Sequence, residues 1–438
     1  MKDLFGSFLA AGGIQIANLA TGILAARLLL PEGRGEPTIL LLWPILIADL
    51  GSCSLSTSVN YHTARKDHTP KQIWAGAVFL ITALCPVLIA VYLVLVPYIY
   101  GGQRPEVITL AVIGAALIPA YLFALSLMAL FQGGQKFGAY NLLRALVHFG
   151  YLGFAALLLL LTGPSLASFV YAYLGAHILV LGIAIWLGWK NGWLSLKPVY
   201  AIIRSLTVYG LRAHVGVVLA VANRRLDQLI ISVALAATDL GFYVVAMTIE
   251  APIFLAATTM ELLLFPKIAQ QSQEGGRQEV LGRYFRAALI IVVPAIITFV
   301  ILAPWLIEIV FGAAYLPATD AARILALSGI GYTLKIMLTT YMRASNKMRI
   351  VTQSEGLGIV VTATSLAVLL PWLGLIGAAI AQVLAFTIPA LFMAFLIQRE
   401  TGLTLTQLCR FEKRDWQVFE ELRHKLRGRK TDGPGADK

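Results

Sequence analysis

The chain has 438 residues, of which 59% are hydrophobic and 13% charged, with a mean hydropathy of +0.80. A soluble domain carries roughly 25% charged residues, so a soluble globular protein is excluded and a polytopic membrane protein is indicated. The formal net charge of +12 is not a nucleic-acid signature, because Lys and Arg sit in short segments between apolar runs and no basic stripe alternates with exposed aromatics.

Apolar runs of about 20 residues or more predict transmembrane helices. They fall near 4-30, 38-63, 73-100, 106-131, 138-162, 166-189, 207-235, 239-267, 284-308, 318-342, 350-371 and 375-398, an all-α polytopic chain of twelve spans. The runs are continuously apolar rather than alternating with period two, which excludes a β-barrel. The first is too long for a signal-peptide h-region and lacks a small-residue cleavage pattern, so it is expected to remain as the first span.

Orientation follows from the loops. With a cytoplasmic N-terminus, the inner segments hold Lys2, then Arg65, Lys66 and Lys71, then Lys136, and later Lys190, Lys197, Arg204, Lys267, Arg277, Lys347 and the basic tail. The outer segments hold Arg34 and Arg104, with Arg27 and Arg323 near helix ends. Both termini are therefore expected in the cytoplasm.

Two cytoplasmic segments read as interfacial. In 194-206, LSLKPVYAIIRSL, Pro198 suits a first helical turn and the apolar residues share a face, as in a linker helix lying on the membrane between two halves. In the tail, 401-438, Leu405, Leu408, Trp416, Phe419, Leu422 and Leu426 recur at helical spacing among basic residues, which suits an anionic leaflet. The expected domains are an N-terminal lobe, 1-193, the linker, a C-terminal lobe, 207-400, and the tail.

An internal repeat supports two halves. PYIYGGQ from Pro97 matches EIVFGAAY from Glu308, and the same offset of 211 lays FQGGQKFGAYNLLRA (131-145) over MRASNKMRIVTQSEG (342-356). Since six is even, the halves share one orientation and relate by a pseudo-twofold axis along the membrane normal, with the substrate path between them. Cys53, Cys85 and Cys409 are too widely spaced for a disulfide framework or a zinc site. No Walker A loop or H-E-x-x-H appears, so no nucleotide, metal or other cofactor is expected.

The opening ARLLLPEGRGE turn, Trp43-Pro44, the run from Tyr61 to Lys66, and NRRLDQLIISVALAATDLGFYVVA (223-246) together resemble a known family. It is the polysaccharide transporter branch of the multidrug/oligosaccharidyl-lipid/polysaccharide (MOP) flippase superfamily. The likeness covers essentially residues 1 to 400 and departs at Leu30, where a Gly is common. It implies a MATE-like pair of six-helix lobes that open alternately, in a bacterial cytoplasmic (inner) membrane. It also implies a substrate, a polyprenyl-diphosphate-linked sugar moved from the inner to the outer leaflet, and a polysaccharide biosynthesis complex as a possible partner. A multidrug antiporter of the same fold is the nearest alternative, followed by a lipid II flippase and a polyprenyl-sugar glycosyltransferase or polymerase. Catalytic residues are not expected, because every outer loop is short.

A diphosphate crossing an apolar core requires a wet cationic cavity, and Arg suits it because its planar fork donates two parallel hydrogen bonds. The span containing Arg224, Arg225 and Asp227 places these charges near the midplane, where an ionisable residue is costly and marks a functional site. Arg224 can contact substrate or pair with Asp227 three residues on; Arg225 points about 160° away from Asp227 on the helical wheel and needs another partner. Arg212, Lys335 and Arg144 are further substrate candidates, while Gln15 and Asn18 share a face that contacts sugar hydroxyls or glues helices. Coupling to H+ or Na+ needs a buried carboxylate, which Asp49, Asp227, Glu250 and Glu261 offer unless each merely neutralises a nearby cation. The repeat makes Arg144 and Glu355 equivalent and suggests an inner gate between them, the alternative being pairing of each within its own half. Trp189, Trp193 and Trp305 suit interface anchors.

Overall fold

A computed structural model describes residues 2–271, 273–345 and 347–410, apart from the side chains of residues 2–9, 11, 32–34, 220, 222–224, 262, 263, 266 and 269. The helices are α1 (Lys2–Gly51), α2 (Leu55–Arg65), α3 (Pro70–Tyr100), α4 (Pro105–Gly114), α5 (Leu117–Gly133), α6 (Phe137–Thr162) and α7 (Leu166–Lys190). They continue with α8 (Tyr200–Ala234), α9 (Ala237–Ala269), α10 (Glu274–Phe311), α11 (Thr319–Ala344), α12 (Met348–Thr401) and α13 (Leu405–Cys409). Local chemistry sets their ends. Thr69 and Gln72 form a capping box at α3, Pro70 and Pro105 occupy first helical positions, and Gly402 terminates α12 in the left-handed region at φ 75°.

Among the described residues, ten helical segments are long and apolar enough to cross a membrane, or eleven if the bent pair 35–51 and 55–65 counts as one span. The protein is an all-helical, multi-pass membrane protein. Helix α12 has 54 residues, about 80 Å, more than twice a ~30 Å hydrocarbon core, and breaks at Gly374. Helix α1 breaks at Leu30. A further break lies inside the predicted span 38-63, where the helix bends by 53° and Cys53 and Ser54 take φ of 50° and 54°. Apolarity alone gives no warning of that bend. Its short polar residues turn back on the chain, with the Ser52 hydroxyl donating to the Asp49 carbonyl at 3.0 Å.

The chain divides into two compact units, Met1–Val244 with Val310–Ala314, and Val245–Ile309 with Tyr315–Lys438. In the first, residues 194–199 are non-helical and α8 begins at Tyr200, so the segment expected as a separate linker helix is partly the first turns of α8. Ile202 and Leu206 are buried there because Gly76 of α3 leaves room for them, and the Ser58 hydroxyl donates to the Leu206 carbonyl at 2.9 Å. Within lipid, apolar packing lacks a hydrophobic drive and helices gain from close backbone approach. Gly210 supplies one such approach: a Cβ there would lie 2.5 Å from the Cys53 carbonyl oxygen. Trp193, expected as an interface anchor, packs instead on Phe131 with ring centroids 5.3 Å apart.

In the second unit, one core joins Met337, Leu338 and Tyr341 of α11, Phe285 of α10, and Met393 and Ile397 of α12. Leu403 and Leu408 are buried in it and Leu405 packs against it, so the first apolar residues of the tail face protein rather than a leaflet. The Arg286 guanidinium, itself buried, reaches the carbonyls of Gln407 and Leu408 at 3.4 and 3.3 Å, which caps the end of α13. Trp416, Phe419, Leu422 and Leu426 lie outside the described residues.

The repeat persists in three dimensions as local structure. Helix ends at Tyr100 and Phe311, and at Gly133 and Ala344, and helix starts at Phe137 and Met348, are each 211 apart. The turn between them is the same: Lys136 N–H donates to Phe131 at 2.9 Å, and Lys347 N–H to Met342 at 2.8 Å. Lys136 and Lys347 share a backbone conformation, φ/ψ of −86°/60° and −102°/55°.

Candidate functional site

In the first unit, α1, α5, α6, α7 and α8 bring a polar cluster together. The Tyr121 hydroxyl donates to Asp49 Oδ1 at 2.8 Å. One turn apart on α7, His177 Nδ1 lies 2.9 Å from the Tyr173 carbonyl, and the two rings sit 4.4 Å apart. Tyr151 meets Tyr173 edge-on at 5.0 Å. Arg225 of α8 and Asp49 both lie within electrostatic reach of Tyr121 and Tyr173. A guanidinium and a carboxylate therefore both act electrostatically on the same two phenols.

Asp227 Oδ2 accepts from the Tyr243 hydroxyl at 2.8 Å. The Arg224 side chain lies outside the described residues, and with it the expected Arg224–Asp227 pair. Arg225 is within electrostatic reach of Asp227 despite the opposed wheel positions. The long Arg stem lets the charge act well away from its own Cα direction. Arg212 is exposed, and its neighbour His214 lies 3.1 Å from the Ser54 hydroxyl at the break before α2. Asn18 and His148 are joined at 2.7 Å, Gln15 is exposed on the same stretch, and Arg144 lies over the Tyr140 ring at 5.4 Å.

In the second unit, the carboxylates Glu250, Glu261 and Glu355 meet residues of α11 or α12. Glu250 accepts from Gln382 Nε2 at 2.7 Å in a buried site. Glu261 accepts from the Thr340 hydroxyl at 3.2 Å. The face shared by these two residues thus packs on neighbouring helices. Lys335 Nζ lies 3.1 Å from Glu355 Oε2 and 5.8 Å from the Phe386 ring, which stands against Phe254 and Tyr332. Lys335, expected as a substrate contact, is engaged by Glu355, and Glu355, expected opposite Arg144, is held within its own half.

Tyr121, Tyr173, His177 and His148 were not anticipated. A scan of the spans for Asp, Glu, Lys and Arg passes over them, although His148 and His177 sit inside predicted helices. Among the described residues, no group of three His, Cys, Asp or Glu side chains is arranged to hold a metal ion.

Helices long and apolar enough to cross a membrane many times define a class, the polytopic membrane proteins. Within that class, the polysaccharide biosynthesis protein family matches residues 24–320, and the chain belongs to that family. A relative in Haloferax volcanii, the probable low-salt glycan biosynthesis flippase Agl15, is 23% identical over 218 residues, 48% of this chain. The match spans just under half of that relative's length, 46%. The fold is similar to that of the lipid II flippase MurJ in an inward closed conformation, with a TM-score of 0.77, 14% identity, and 96% of each chain covered. An inward-facing multidrug resistance MATE transporter of the MOP superfamily gives a TM-score of 0.67 at 15% identity, over 89% of this chain and 96% of the other. The chain therefore has a MOP-type fold.

Proposed function

We propose that this protein is a flippase moving polyprenyl-diphosphate-linked oligosaccharide from the inner to the outer leaflet by alternating access, driven by an H+ or Na+ gradient or by membrane potential. The observation that carries the reading is Arg225, an always-charged fork on α8 within electrostatic reach of Tyr121 and Tyr173, which Asp49 reaches too. Membership of a polysaccharide biosynthesis family, and a relative named as a glycan biosynthesis flippase, support a lipid-linked glycan as cargo.

In this proposal Arg225, with Arg224 and Arg212, receives the diphosphate, Arg144 and Lys335 extend the cationic path, and Gln15 and Asn18 meet sugar hydroxyls. Asp49, Asp227, Glu250 and Glu261 are the candidates for ion coupling. The Arg144–Glu355 gate belongs to a state in which Lys335 releases Glu355. Counting the bent pair 35–65 as one span and the two arms of α12 about Gly374 as two supports twelve helices in two lobes. An even number would put both termini on one side, which the Lys- and Arg-bearing segments would make the cytoplasm of a bacterial inner membrane, beside a polysaccharide biosynthesis complex.

The test uses purified protein in liposomes containing polyprenyl-diphosphate sugar, with outer-leaflet appearance measured with and without an imposed potential. Arg225→Ala should slow the movement at least about tenfold, and Arg225→Lys, which keeps charge but loses the fork, should fall between. Efflux of cationic drugs with no lipid movement would replace this reading with a multidrug antiporter.

A further inference from the structure

Two stretches singled out in the sequence, PEGRGE from Pro31 in α1 and TDLG from Thr238 in the first turn of α9, meet backbone to backbone in the first unit. A Cβ on Gly35 would overlap the Ala237 carbonyl, whose carbon would lie 2.7 Å away. A Cβ on Gly241 would overlap the Pro31 carbonyl oxygen and stand 3.3 Å from the Gly35 nitrogen. The contact has no room for a side chain on either glycine. It also buries the neighbouring Leu240 completely.

The two sides of the contact are held differently. The turn before it is braced by Glu36, only 3% exposed, both of whose carboxylate oxygens accept from Arg104 Nη2 at 2.8 Å. Immediately upstream, Leu30 has φ 61° and ψ 178°, a region that is essentially glycine's alone. A leucine there loads the backbone, and the load lies where α1 breaks into two arms. The strain persists because the glycine contact and the Glu36–Arg104 brace together over-determine the turn.

We propose that the contact between residues 31–36 and 237–241 is the outer latch of the transport cycle, closed in this structure and released when cargo leaves, with the strained backbone at Leu30 favouring release. This rests on the flippase reading and adds to it the place where the outer end opens. Glu36 is then a positioning residue, since it fixes the turn that Gly241 must meet and touches no cargo itself.

Opening should expose Leu240. The experiment follows the rate at which a membrane-impermeant maleimide labels Leu240→Cys in the full chain, with Cys53, Cys85 and Cys409 replaced by Ser. Gly241→Ala should raise the rate, because its Cβ prises the turns apart. Leu30→Gly should lower it by at least about fivefold, because relieving the strain favours the closed contact. The opposite signs separate a latch from general damage, and Gly216→Ala, whose Cβ would meet nothing within 4 Å, should leave the rate unchanged. Unchanged labelling in Gly241→Ala and Leu30→Gly, or a shift of both in one direction, overturns the latch. Labelling that moves as expected in protein that transports no polyprenyl-diphosphate sugar supports the latch and instead removes the flippase reading.

Discussion

Replacing Lys335 by Met should destabilise the second unit, and in that background Glu355→Gln should cost less than it does alone. Their charges lie 3.1 Å apart, with side-chain exposures of 12% and 26%. At an effective dielectric of about 20 their attraction is roughly 5 kcal/mol before desolvation is counted. Removing both from water offsets much of that, so each single neutralisation should cost about 3 kcal/mol, largely the penalty of the charge left behind. The double variant should lie about 1–3 kcal/mol closer to the parent than the sum of the singles. Denaturant unfolding in nanodiscs, followed by Trp fluorescence for all four proteins, measures this coupling. Additive losses would show that the pair is not an energetic unit and that Lys335 is available to cargo as first expected from sequence.

Other outcomes follow from single contacts. Gly210→Ala would put a Cβ 2.5 Å from the Cys53 carbonyl and should destabilise the first unit by about 1–3 kcal/mol, whereas Gly12→Ala, which meets nothing within 4 Å, should not; thermal unfolding compares them. Arg286→Met removes the donor to the Gln407 and Leu408 carbonyls, so amide exchange in α13 should speed at least about tenfold while that in α3 is unchanged. Tyr121→Phe removes a 2.8 Å donor from Asp49 and should cost about 1–3 kcal/mol of stability, with Asp49→Asn largely reversing it in the double variant.

The spans and the repeat were legible because both are written in composition and order: apolar runs give helices, and an offset of 211 recurs in the ends of α3 and α10, α5 and α11. Deep charges were legible for the same reason. Their partners were not, because Lys335 and Glu355 are 20 residues apart in the chain, and Glu250 and Gln382 are 132 apart. The break at Cys53–Ser54 was hidden because neither residue forbids a helix. It depends on Gly210 of another helix lying against the Cys53 carbonyl. Leu30 shows the converse: a departure from a family pattern, trivial as composition, falls where the backbone has a glycine's φ.

The repeat also shows what duplication kept and what it changed. The turns after Phe131 and Met342 share hydrogen bonds and backbone angles, so the scaffold at the start of α6 and α12 is one solution used twice. Eight residues beyond Lys136 the first copy has Arg144, over Tyr140, while the same place in the second has Glu355, bound to Lys335. In the first unit the groups near Arg225 and Asp49 are the phenols Tyr121 and Tyr173, with the His177 ring against both. The second surrounds its carboxylates with an ammonium, an amide and a hydroxyl, from Lys335, Gln382 and Thr340. Phenols and a guanidinium donate hydrogen bonds to an anion, and carboxylates held by neutral donors can receive a cation. On the proposed flippase reading, an anionic headgroup moved on an ion gradient needs both chemistries, and two copies of one local scaffold that differ at this position would supply them without a second fold.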